Sequence, residues 1–186
     1  MWGSSKTKKR TPEKLGNDLS PGFLKVAILP IVEECLNSAE KDQRNWRFKI
    51  KTESNDDIAL AKEWILFEFF IYGQAILGYF QGDAIGQRIM RSFNTACASI
   101  LIKYNIFDSL DEFGNLLKQR CDYYLDTLNS AETDNTFLLA KRILAQISGG
   151  ENNILYANAI SGYYFRMSLA YDELVRDVMK ETHLVD

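Results

Sequence analysis

The chain has 186 residues, with 22 Lys plus Arg against 25 Asp plus Glu and 46% apolar content, the profile of one soluble globular domain. A chain of this length buries roughly 70% of the surface its unfolded form would expose, so neither disulfides nor a structural metal are needed to build a core. Cys35, Cys97 and Cys121 are odd in number and lack C-x-x-C spacing, which argues against a disulfide framework and a thiolate zinc site and predicts a reducing, cytoplasmic location. The single histidine, His183, excludes di-iron bundles with paired Glu-x-x-His, zinc sites with several imidazoles, and a buried Ser-His-Asp triad in their usual forms. No Walker-type or dinucleotide-binding glycine loop occurs, and the first twenty residues hold no apolar signal segment. No metal and no cofactor is expected.

Charge is unevenly divided: residues 1–52 carry 11 basic and 6 acidic side chains, net +5, and residues 53–186 carry 11 and 19, net −8. The first stretch has little apolar content and five cations by Lys14, so residues 1–19 are expected to be a disordered basic arm, a contact for nucleic acid or acidic lipid if it is more than a solvated tail. Residues 20–186 are expected to form a single helical-bundle domain.

Ser20-Pro21 has the form of an N-cap followed by proline at the first helical position and predicts a helix to about Lys41. Pro30 lies inside it, so a kink or division is expected near Ala27–Pro30. From Asn45 to Thr52, Trp46, Phe48 and Ile50 alternate with Arg47, Lys49 and Lys51, a period of two and the only strand signal in the chain. One strand cannot satisfy its own backbone, so this segment is an extended linker, part of a local hairpin, or a surface that pairs with a second copy across a two-fold axis.

Beyond Asn55 the pattern is helical throughout. Helices are expected over about Asp56–Gln81, Asp83–Tyr104, Asp108 or Ser109 to Asn129, Asn135–Ser148 and Glu151–Thr182, the last carrying an apolar stripe from Tyr156 to Val178. The first of these is a buried central helix rather than a membrane span, because Glu68, Gly73 and Gln74 interrupt its apolar centre. Together these elements predict an all-α, antiparallel up-and-down bundle of five to six helices with one short extended segment near residues 45–52.

Glu68 stands among Trp64, Ile65, Ile71 and Tyr72. A carboxylate there either pairs with a group from another helix or anchors a ligand, which would make the chain a small-molecule-binding bundle. Gly78, Gly82 and Gly86, spaced by four, mark a turn or present bare amides to an anion. The aromatic residues of the last helix line a core or a flat pocket.

Arg176-Asp177 and, after five intervening residues, His183 resemble the Arg, polar residue, His signature of HEPN-type helical ribonucleases. That resemblance implies metal-independent RNA cleavage at a two-fold dimer interface, with His183 moving the proton and Arg176 steadying phosphate charge. The same cations also fit the C-terminal end of a helix, where the macrodipole favours positive charge. By elimination, the function expected first is a non-enzymatic, homodimeric interaction protein, an adaptor or regulator, with residues 46–51 as its contact. Ribonuclease and ligand-binding bundle are the alternatives.

Overall fold

In the computed structural model, which describes residues 7–36, 56–130, 135–148 and 153–185, the elements follow the chain without large excursions. Strand β1 (Lys8–Arg10) leads directly into α1 (Pro12–Phe23), whose first amides are met by the Thr11 side chain with Pro12 in the first turn. A π-helical segment (Leu24–Ile28) follows and passes into α2 (Leu29–Leu36) with no break in the rod. Asp56 caps α3 (Asp57–Tyr79), Asp83 caps α4 (Ala84–Lys103) and Ser109 caps α5 (Leu110–Leu128). After α6 (Asn135–Ser148), Asn153 caps α7 (Ile154–Lys180), and strand β2 (Thr182–Leu184) closes the described chain.

The all-α bundle is as expected, and α3 to α7 lie within a few residues of the ranges that periodicity assigns. The amino-terminal region is not. Residues expected as the end of a disordered arm form β1 and most of α1, because Thr11-Pro12 supplies the cap and Leu15 and Gly16 bury against α4. A Cβ on Gly16 would stand 2.4 Å from the Ile89 carbonyl oxygen, so only a residue without a side chain lets α1 lie this close to α4.

Both internal prolines are accommodated without a break. Pro21 cannot donate to the Asn17 carbonyl four residues back, and the Ser20 hydroxyl donates to that carbonyl instead at 2.9 Å. Pro30 would leave the Val26 carbonyl open in α-helical register, and the wider π turn immediately precedes it, with the Leu29 amide donating to the Leu24 carbonyl. The expected irregularity is therefore present, as a change of pitch.

A short parallel pair joins the two ends of the chain: Lys8 lies opposite Thr182, Lys9 opposite His183, and Arg10 opposite Leu184. The Lys8 amide donates to the Glu181 carbonyl, and the Val185 amide donates to the Arg10 carbonyl, each at 2.9 Å. The segment that carries the alternating pattern, 45–52, lies outside the described residues.

Helix α3 occupies the centre. Every residue from Trp64 to Tyr72 is buried, and α2, α4, α5, α6 and α7 all pack against this helix, which is why its apolar residues show no single face. Phe23 of α1 packs edge-on or tilted against rings of α3 and α4, 4.8 Å from Tyr72, 5.0 Å from Phe69 and 5.1 Å from Phe93. Two ion pairs fasten α5 to α3: Arg120 grips Glu63 through two bonds of 2.8 and 2.5 Å, and Lys62 reaches Glu112 at 2.7 Å. No helix among the described residues is long and apolar enough to cross a membrane.

Candidate functional site

Glu68 is fully buried on α3. The Tyr163 hydroxyl donates to one carboxylate oxygen and the Tyr171 hydroxyl to the other, the latter at 2.7 Å. Both tyrosines project from α7, eight residues apart on one side. Burial, then the facing negative charge of Glu68, then the hydrogen bond itself hold the Tyr171 hydroxyl well above the ordinary tyrosine range. Glu68 thus joins α3 to α7, and the cavities of the molecule described below are lined by other residues. The stripe of tyrosines is visible in the sequence, and its hydroxyls, which usually find a partner when buried, are the signal that could have identified what meets Glu68.

Arg176 and His183 lie on different elements. Arg176 is exposed in the penultimate turn of α7, lining two hollows with Asp172 and, in one of them of about 420 Å³, Ser168 and Tyr164. His183 is outside the helix, exposed on β2 beside Lys9 of β1. Neither hollow includes His183. The expected continuation of α7 through Thr182 is corrected by Glu181, which ends the helix and lets the chain extend into β2.

Of the basic amino-terminal residues, Lys8, Lys9 and Lys14 are exposed, whereas Arg10 is engaged with Asp18 at 3.0 Å and with the Thr182 hydroxyl at 3.2 Å. The interaction residues Trp46, Arg47, Phe48, Lys49, Ile50 and Lys51 lie outside the described residues. The glycine series resolves into a turn: Gly82 has φ of +71°, and the Gly86 amide donates to Asp83 at 2.8 Å. A carboxylate therefore already occupies the place an anion would take.

A cavity of about 410 Å³ opens between α3, α4 and α5. Its walls are Phe69 and Phe70 from α3, Met90 and Ala98 from α4, and Phe113 and Leu117 from α5. Gly73 and Gly114 add no side chain to it, and a Cβ on Gly114 would meet nothing within 4 Å. Gln74, Asn94 and Thr95 add polar groups, and the Oδ1 of Asn94 is buried and, among the described residues, accepts no hydrogen bond. Arg91 and Lys118 stand at the exposed side, with Lys118 paired to Asp122 at 2.7 Å. Cys121 also lines the cavity, its thiol pushed up to about 11 by burial and by the nearby Asp122 charge, so it is a poor nucleophile near neutrality. Among the described residues, no group of three His, Cys, Asp or Glu side chains could hold a metal ion.

The outer face of α7 is the other unusual surface. Leu155 is 79% exposed, Phe165 62% and Leu169 56%. At 100° per residue these three, with Gly162, Arg166 and Glu173, fall within a sector of about 100°. Comparison with protein-family models, with curated proteins and with solved structures gives no match.

Proposed function

We propose that the protein is a non-enzymatic helical interaction protein whose first partner is a second copy of itself, associating through the outer face of α7. The observation that carries this reading is the exposed stripe of Leu155, Phe165 and Leu169, large side chains that a lone helix face would normally turn inward. Gly162 lies between them with open space where a Cβ would be, which allows a second helix to approach closely. The flanking charges favour a like copy: Arg166 and Glu173 are seven residues apart on this face. When two α7 helices cross antiparallel about a two-fold axis near Leu169, the arginine of each copy lies against the glutamate of the other. A helix of 27 residues gives such a contact a run of about 40 Å.

The test is the solution mass by light scattering after size exclusion, at low and high salt. The wild type is expected at twice its 21.3 kDa, with the apolar centre making the dimer resistant to salt. Phe165→Glu combined with Leu169→Glu is expected to give a monomer of unchanged helicity, since both side chains are exposed in the single chain. A wild type that stays monomeric at every concentration, or a dimer indifferent to the double substitution, would overturn the proposal.

A further inference from the structure

The cavity between α3, α4 and α5 asks for an occupant independently of the α7 face. We propose that it is a binding site for a small amphipathic molecule with an apolar body and a hydrogen-bond-donating head, an aliphatic alcohol in the simplest case. Its volume of about 410 Å³ falls at the lower end of the range of small-molecule sites.

Close packing is the rule in helical cores, and here space is kept open by small residues on all three walls: Gly73 on α3, Ala98 on α4 and Gly114 on α5. Gly114 is the most telling. It sits inside a helix, where glycine is unfavourable relative to alanine, yet no positive φ and no close neighbour requires it. Gly114 is itself exposed, so its absent side chain leaves the mouth of the cavity open.

The Oδ1 of Asn94 supplies the polar half of the inference. A buried carbonyl oxygen without a donor is costly, and a donor brought in by an occupant of the cavity would meet it. A ligand hydroxyl would donate to Oδ1 while its chain covers Phe69, Phe70, Phe113 and Leu117. A carboxylate head is disfavoured beside Oδ1, because it brings acceptors to an acceptor; Lys118 at the rim is answered by Asp122, which leaves Arg91 at the exposed side as the cation a carboxylate would have to reach.

Thermal melting and titration calorimetry of the full chain with decanol and with decanoate test this. Decanol is expected to raise the wild-type melting temperature saturably and to bind more tightly than decanoate. Asn94→Leu is expected to melt no lower than wild type without ligand, having lost an unsatisfied group, and to bind decanol about tenfold more weakly. Gly114→Leu is expected to abolish the response by filling the cavity; if that variant does not fold, the Asn94→Leu comparison still decides. No saturable response in the wild type, equal affinity in Asn94→Leu, or undiminished binding by folded Gly114→Leu would overturn the proposal. Tighter binding of decanoate would overturn the donor head, showing the amide turned to present its NH₂ group.

Discussion

A buried carboxylate is tolerable only when donors meet it, and Glu68 receives one from each of Tyr163 and Tyr171. Tyr171→Phe keeps the ring contacts, 5.0 Å from Tyr72 and 6.1 Å from Phe23, and removes only the hydroxyl. Loss of a donor to a buried group costs about 1–3 kcal/mol. The variant is expected to unfold at lower urea concentration with an unchanged slope, and an unchanged midpoint would show that the hydroxyl contributes nothing. At this scale the sequence showed that Glu68 was anomalous, because its neighbours are apolar, but not which groups answer it. The partners lie 95 and 103 residues away, and local spacing carries no information over that distance. Asn94 gave no signal at all: it belongs to neither face of α4 by periodicity, and its significance comes from α3 and α5 closing over it.

Helices announce themselves through caps and period, and here two nearly identical signals compete. Thr11-Pro12 and Ser20-Pro21 both have the form of a cap followed by proline, and local sequence cannot rank them. Tertiary packing does, since the fit of Gly16 against Ile89 is made only if the helix starts at the first. The second pair then has a different use, with the Ser20 hydroxyl bonding the Asn17 carbonyl that Pro21 leaves open. This makes a coupled prediction. Ser20→Ala is expected to cost about 1 kcal/mol in the wild type and little in a Pro21→Ala background, where the restored backbone N–H reaches the same carbonyl. A double-mutant cycle by urea denaturation checks it, and equal costs in both backgrounds would reject the substitution of hydroxyl for amide. The β1–β2 pair was illegible for another reason: three residues a side are too few to display a period of two. The α3 to α5 helices, by contrast, combine a capping residue with a long apolar run in α3 and a sustained helical period in α4 and α5, and their ranges were legible to within about two residues.

Whole-molecule stability should fail first at alkaline pH. Tyr72 on α3, Tyr124 on α5 and Tyr171 on α7 are all pushed well above the ordinary tyrosine range, chiefly by burial, with the neighbouring charge of Glu63 adding at Tyr124 and of Glu68 at Tyr171. Burial does the same for the Cys97 thiol, and holds Cys121 at about 11. In the unfolded chain these groups ionise near their ordinary values, about 8.5 for cysteine and about 10 for tyrosine. The folded state therefore retains protons that the unfolded state gives up. The stability tied to them is whole below the unfolded values and declines as pH rises past them, because ionised product accumulates only on the unfolded side. Since the groups sit on α3, α4, α5 and α7 around one continuous core, the loss should be global and not confined to one helix. Melting temperature is expected to hold steady to about pH 8, to decline as the thiols pass their unfolded value and to fall more steeply past about pH 10, with part of the tyrosinate absorbance appearing only as helical ellipticity disappears. If all nine tyrosines instead ionised while the helices stayed intact, the three hydroxyls could not be buried as they are in this structure, and the joining of α3 to α7 through Glu68 would be refuted with them.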